Sequence, residues 1–288
     1  MRIAPIQNDQ ATLARYGALF AACFPGADKF TPAYLAWLYA ANPDGAAVGM
    51  DAWDGERLAA HYVCIPARAW VEGREVLVLL SLNTATHPDY QGKGLFTKLA
   101  AATFEAGAAA GFDGVYGVAN GNSTPGFVRK LGFQLVRPLE ARVGLGTLSH
   151  GPKAPSAQLS FERSWTPQAL AWRCANPHNR VHRRGGGAAR QQFYAAAFGM
   201  SLPAYAELDA DSAGPVAAGS AGSAAPLSPL RLLIGLAPDA NARWWNYASI
   251  PQRLRPSPLN LIYRSFAPRV SALDPARIQF SFLDFDAY

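Results

Sequence analysis

The sequence predicts a mixed α/β chain of the α+β kind, in which a mostly antiparallel sheet flanked by helices is built twice. Three observations carry this. Helical and strand patterns follow one another in a readable order through the first half. A glycine-rich corner joins the longest apolar strand to a helix. A short helical segment of the first half recurs in the second.

Taken in order, helical patterns come first, near residues 10–22 and 32–40; Thr31-Pro32 opens the second with an N-cap and a proline at the first helical position. "AAVGMDAWDG" and "ERLAAHYVCIPARAWVEG" read as antiparallel strands turning at Asp54-Gly55 and Glu72-Gly73. "REVLVLLSLNTATH" is apolar throughout and reads as the central strand. "LFTKLAAATFEAGAAAG" places Leu95, Leu99, Ala102 and Ala106 at helical spacing and stops at Gly111. "GVYGVA" is a short buried strand, a compact helix covers Pro125 to Leu131, and "FQLVRPLEARVGL" returns as one strand.

"FTPAYLAWLYAANP" (30–43) recurs as "WTPQALAWRCANP" (165–177), one residue shorter and about 135 residues on. That separation suits a duplicated domain and is too long for a solenoid repeat. A Gly/Ser/Pro-rich stretch over 144–160 marks the boundary, so the expected domains are 1–150 and 151–288. A second low-complexity stretch, 211–229, reads as a surface loop. In the second half "PLRLLIGLAPDANARWW" and the C-terminal "FSFLDFDAY" read as strands.

Composition limits the function. Half the residues are hydrophobic and 16% are charged, which suits a buried core and argues against disorder. No apolar run reaches the roughly 18–20 residues of a membrane span, and "MRIAPIQNDQ" lacks the layout of a signal peptide. Three scattered cysteines without metal spacing point to a reduced, cytoplasmic protein. Residues 1–150 hold 12 basic and 12 acidic groups, whereas 151–288 hold 14 basic groups, 13 of them arginine, against 8 acidic. Arginine forks suit phosphate, although an arginine-rich composition gives the same count. No basic block or basic–aromatic stripe is present, which argues against nucleic acid.

In "HPDYQGKGLFTKLA" the strand ends at Thr86 and the helix begins near Leu95. Glycines at 92 and 94 let backbone N–H groups converge at a helix N-terminus, and Lys93 adds charge; a pyrophosphate is the natural guest. Neither the Walker nor the Rossmann spacing is present. Together with "VANGNSTPGFVRKLGFQLV" this stretch resembles the GCN5-related N-acetyltransferase (GNAT) superfamily, over roughly residues 1–143. With the repeated helix, the resemblance implies a tandem arrangement whose second copy is degenerate, since "PLRLLIGLAPDA" runs into Pro238 without a Gly-x-Gly corner. It implies that Gln91, Gly92, Lys93, Gly94, Leu95 and Phe96 hold the pyrophosphate of acetyl-CoA or another acyl-CoA. Asn83, Thr84 and Thr86 would pair with the pantetheine arm, and Asn120, Asn122 and Ser123 would lie beside the coenzyme tail. The thioester would enter between the central strand and "GVYGVA". Two positions depart from the family pattern: Asp89 opens the corner, and Val128 stands where a tyrosine usually protonates the leaving thiolate. Tyr116, Ser123 or water is left for that task.

The implied chemistry is direct attack of a small-molecule amine on the thioester, which needs a base. The candidates are His61 on an early strand, Glu140, and the pair Asp284 and Asp286, which share one face if the C-terminus is a strand. His87 reads as a packing or capping residue. Arg253, Arg255 and Arg264 could meet a diphosphate, which suggests a nucleotide-linked amino sugar as acceptor. An aminoglycoside-like polyamine and a non-catalytic acyl-CoA sensor are the alternatives. A homodimer is left open.

Overall fold

The computed structural model describes residues 1–150, 158–185, 190–209, 228–238, 242–266, 270 and 272–286. They form two compact units that are not the two halves of the chain. Unit one comprises Met1–Ala67, Leu77–Leu135 and Ile262–Ala272; unit two comprises Arg68–Val76, Val136–Leu261 and Leu273–Tyr288.

Unit one opens with strand β1 (Arg2–Pro5) and helices α1 (Gln10–Cys23) and α2 (Pro32–Tyr39). Asp9 caps α1, accepting from the backbone N–H of Thr12, and the helix buries Leu13, Tyr16, Leu19 and Phe20 at helical spacing. Strands β2 (Val48–Asp54), β3 (Arg57–Val71) and β4 (Arg74–Thr86) follow. The turns fall where the sequence predicts, Asp54 pairing with Arg57 across Gly55 and Glu56. Glu72 and Gly73 both have positive φ, the backbone a two-residue hairpin of this hand requires. Then come α3 (Leu95–Ala109), β5 (Gly114–Ala119), α4 (Thr124–Leu131) and β6 (Gln134–Pro138).

The sheet path runs β1-β2-β3-β4-β5, then β16 (Asn260–Ser265), then β6. β4 and β5 are parallel and the β1-β2-β3 ladders antiparallel. Tyr62 and Cys64 on β3 pack with Leu99, Phe104, Phe127 and Phe133, on the face that α3 and α4 cover. Alternation sends His61 to the opposite face, among the rings of Tyr16 and Phe20 from α1 and Tyr39 from α2.

Three sequence expectations are corrected. Residues 133–145 are two strands, β6 and β7 (Glu140–Leu145), in different sheets. Pro138 has no N–H to continue a ladder, and the Leu139 N–H turns to the carbonyl of Leu259 at 2.7 Å. Residues 262–265 of β16, at the far end of the chain, lie in unit one. The C-terminal segment is not a strand at Asp284: Phe282–Asp284 form a 3₁₀ turn, closed by a reciprocal capping box between Ser281 and Asp284.

Unit two continues with β8 (Ser149–His150), β9 (Phe161–Arg163), α5 (Pro167–Cys174), β10 (His182–Gly185), β11 (Arg190–Phe198) and β12 (Leu202–Asp209). β13 (Leu230–Gly235), β14 (Ala242–Arg243), β15 (Tyr247–Ser249) and β17 (Ile278–Gln279) complete it. Its sheet has the order β10-β11-β12-β13-β7-β15, antiparallel except for β12 beside β13. Both sheets are mixed, so the chain is the α+β protein that its sequence predicts. Within the strand predicted over 229–245 the structure has β13 and the two-residue β14. The low-complexity stretch lies outside the described residues up to 227.

Candidate functional site

The site grows from the C-terminal end of β4. Its ladder with β5 runs from Leu79↔Val115 to Ser81↔Gly117, after which β4 continues to Thr86 and β5 to Ala119. Two residues past the last pair, Asn83 takes φ +45°, a left-handed conformation that side chains rarely adopt. The strand thus changes its backbone where the pairing stops. Asn83, Thr84 and Thr86 are all half-buried there.

Beyond β4 the chain forms the corner. His87 Nδ1 accepts from the Asp89 N–H at 3.2 Å, closing a 3₁₀ turn over Pro88–Tyr90, so His87 is a capping residue. Gly92 (φ +76°) and Gly94 (φ +72°) follow, and a Cβ at either would meet nothing within 4 Å. Glycine therefore supplies left-handed backbone here rather than room. Gly94 is the N-cap of α3 and has no side chain to satisfy the first-turn N–H groups, which leaves them available to an anion. Tyr90 anchors the loop by donating to Asp54 at 2.8 Å. The Arg57 guanidinium donates to Asp89 at 2.7 Å and lies 5.4 Å from the centre of the Tyr90 ring. The Lys93 ammonium lies over the same ring at 4.6 Å. Two cations therefore flank the corner, and Arg57, which comes from β3, carried no signal in the linear sequence. It pairs with the aspartate that departs from the family pattern.

On the β5 side, Asn120 Oδ1 accepts from the N–H groups of Asn122 (3.0 Å) and Ser123 (2.9 Å) and from Ser123 Oγ. Asn120 thus builds the turn into α4. Because β4 and β5 are parallel, their C-terminal ends share one side of the sheet. The structure therefore brings Asn83 to Thr86, Gln91 to Phe96 and Asn120 to Ser123 to one end of this strand pair.

The base candidates have different surroundings. His61 is fully buried; its Nδ1 stands 2.7 Å from Asp51 Oδ1 and its Nε2 3.1 Å from the Tyr39 hydroxyl. Asp51 lies directly across the hairpin from His61, in a register shifted by a β-bulge between Ala52 and Trp53. Glu140 belongs to unit two, where Arg137 (2.8 Å) and Arg142 (2.7 Å) hold its carboxylate. It lines an apolar cavity of about 290 Å³ with Ile234, Leu254 and Arg255. Asp284 is buried, accepts from Trp165 Nε1 at 3.1 Å and from the Ser281 N–H at 2.6 Å, and burial raises its carboxyl to about 6. Asp286 is half-buried just beyond that turn, so the shared strand face expected for the two aspartates is not formed. Tyr116 is fully buried on β5. Arg255 donates to the carbonyls of Ile250 and Leu139, and Arg264 to that of Leu131. Of the three arginines considered for a diphosphate, two therefore serve the backbone. Burial lifts all three thiols above their ordinary range, Cys64 to about 12 and Cys174 to about 11.

Residues 7–136 match the family model of the acetyltransferase (GNAT) domain. No curated protein matches the chain by sequence. Among solved structures it is similar to a GCN5-related N-acetyltransferase from Anabaena variabilis, with 11% identity, coverage of 91% of this chain and 72% of that one, and a TM-score of 0.60. It is also similar to a probable N-acyltransferase from Enterococcus faecalis (14% identity, 92% and 72% coverage, TM-score 0.56). A third is Eis1 from Mycobacterium abscessus (12% identity, 91% and 73% coverage, TM-score 0.58). At such identities these likenesses are likenesses of fold, and they extend well beyond the segment matched by the family model. Residues 7–136, which contain the glycine corner and the parting strands, are by that family match a GNAT acetyltransferase domain.

Proposed function

We propose that the protein is an acyl-CoA-dependent N-acyltransferase that transfers an acetyl or longer acyl group directly to the amine of a small molecule. The observation that carries this reading is the end of the β4–β5 ladder at Ser81↔Gly117, next to the left-handed glycines that open α3. N–H groups from Gln91 to Phe96 would take the pyrophosphate, with Lys93 and Arg57 as flanking cations. The pantetheine arm would lie along Asn83, Thr84 and Thr86, and the turn from Asn120 through Asn122 to Ser123 would border the coenzyme tail. The amine nitrogen bonds to the thioester carbon, the carbon–sulfur bond breaks, the amine gives up a proton and the thiolate takes one. Direct transfer is favoured over a cysteinyl intermediate because each thiol is held above its ordinary pKa.

Val128 removes the family's usual acid, so the thiolate takes its proton from Ser123 or solvent. Residues 151–288, whose α5 repeats α2 and whose counterpart strand runs into Pro238 without a Gly-x-Gly, would be the degenerate copy of a tandem pair. Three unpaired thiols suit the reducing cytoplasm. The acceptor is best sought among nucleotide-linked amino sugars first. Purified protein given acetyl-CoA and UDP-amino sugars, aminoglycosides or no acceptor should release thiol only with a suitable amine. Coenzyme binding without release in any mixture would instead mark an acyl-CoA sensor.

The corner has its own test. Open space at Gly94 lets Gly94→Asp fold, while its carboxylate opposes the pyrophosphate and its φ of +72° strains a side chain. Calorimetry should show acetyl-CoA affinity reduced more than about tenfold; unchanged affinity would sink the assignment.

A further inference from the structure

On the α1/α2 face of unit one, a buried chain of hydrogen bonds ends at the parting point of β4. The Gln7 N–H donates to the Tyr16 hydroxyl at 3.0 Å, which donates to Asp51 Oδ2 at 2.7 Å. Asp51 Oδ1 faces His61 Nδ1 at 2.7 Å, His61 Nε2 faces the Tyr39 hydroxyl at 3.1 Å, and Asn83 Nδ2 donates to that hydroxyl at 3.1 Å. Tyr16, Tyr39 and His61 are 0% exposed and Asp51 1%.

The direction of each bond follows from the last acceptor. A carboxylate at Asp51 only accepts, so a neutral imidazole at His61 carries its proton on Nδ1 and leaves Nε2 as an acceptor. Tyr39 can then donate to Nε2, and its oxygen accepts from Asn83. The amide of Asn83 is thereby fixed with its NH₂ inward. Its Oδ1 receives no donor among the described residues, and the residue is half-buried, so this oxygen is reachable. It is a free acceptor two residues beyond Ser81↔Gly117, where the proposed thioester would lie.

We propose that Asn83 orients the acceptor amine. Its Oδ1 takes one N–H of the amine, which turns the nitrogen lone pair toward the thioester carbon. Asp51, His61 and Tyr39 are positioning residues that set which way the amide faces. This rests on the acyltransferase reading. It also gives His61 a role compatible with its burial, since the imidazole acts through Tyr39 and never touches the amine.

The test separates the two readings. In the wild-type protein, ¹⁵N NMR should find the His61 proton on Nδ1; a proton on Nε2 overturns the proposal whatever the activity. Asp51→Asn can offer an NH₂ to Nδ1, which moves that proton to Nε2, reverses the Tyr39 donor and flips the Asn83 amide. Asn83→Gly accepts φ +45° without strain and removes the amide. Each variant should lower kcat/KM for the amine that supports thiol release by about tenfold to a hundredfold, the scale of one hydrogen bond at a reacting group. In Asp51→Asn the acetyl-CoA Kd should stay unchanged, and the double variant should be no worse than Asn83→Gly. Tyr39→Phe keeps the ring and replaces Asp51→Asn if that variant does not fold. Turnover by wild-type protein combined with an unaltered amine kcat/KM in Asn83→Gly refutes the role of Asn83 alone. Absence of thiol release from wild-type protein with every amine counts against the acyltransferase reading.

Discussion

Asp284 shows how a single carboxyl group in this chain leaves a pH signature. Burial raises it to about 6, against the opposing pull of Ser281, Arg163 and Trp165. An unfolded aspartate titrates near 3.9. The folded state therefore holds the proton more tightly, and stability is lost as pH rises from about 4 to about 6, then stays level above. A shift of this size corresponds to about 3 kcal/mol as an order of magnitude. Denaturant unfolding of wild-type protein and Asp284→Asn across pH 4–7 should give curves whose difference changes over that window. Parallel curves would mean that Asp284 is not the titrating group. The same residue explains a limit of reading the sequence. Alternation in "FSFLDFDAY" looks like a strand, but Ser281 and Asp284 stand at the spacing of a capping box, and the local hydrogen bonds prevail. His61 is a different case: its strand follows from the hairpin turn, but a register shift between Ala52 and Trp53, which the turn does not announce, is what sets it opposite Asp51. Its burial under α1 and α2 depended on packing that no local pattern reports.

At the scale of elements, the internal echo holds to atomic detail. Thr31 caps α2 by accepting from the Tyr34 N–H at 3.2 Å, and Thr166 caps α5 from the Ala169 N–H at 3.1 Å. After each helix an asparagine side chain accepts from the N–H two residues on, Asn42 from Asp44 and Asn176 from His178. Thr31→Ala and Thr166→Ala should each cost about 1 kcal/mol, read as a lower urea midpoint at unchanged slope; no change in either midpoint would show that the cap is replaced by water. Helices, hairpins and the corner were legible because caps, Asp-Gly turns and left-handed glycines are local chemistry. The divergence of the copies is legible too once they are aligned. Tyr39, which carries the bond from His61 to Asn83, corresponds to Cys174, and Leu38 to Arg173, which donates to the carbonyls of Leu283 and Phe285. A repeat that keeps its caps and changes these side chains has kept a helix and lost a network.

At the scale of the whole molecule, the hardest feature to read was where the chain goes back. A Gly/Ser/Pro-rich boundary near residue 150 is good evidence for a linker, and nothing local says that a strand some 110 residues later returns across it. Residues 262–265 nevertheless belong to unit one, on a strand that lies between β5 and β6. Ile262 and Tyr263 are each 1% exposed, Arg264 donates to the Leu131 carbonyl at 2.9 Å, and the Phe266 N–H donates to Asp113 at 2.8 Å. Burying two such side chains is worth roughly 3–6 kcal/mol, which is comparable with the whole stability of an ordinary domain at about 5–15 kcal/mol. Without this strand, β5 and β6 also lose the neighbour between them, and exposed edges promote aggregation. A chain cut after residue 150 should therefore show no cooperative melt and should aggregate, although it contains every residue of the matched acetyltransferase domain. Adding a peptide spanning 258–272 should restore a melt and acetyl-CoA binding in part. A cooperative melt of the cut chain at the full protein's temperature would show that β16 contributes little, and that the acyl-CoA domain is complete within the first half of the sequence.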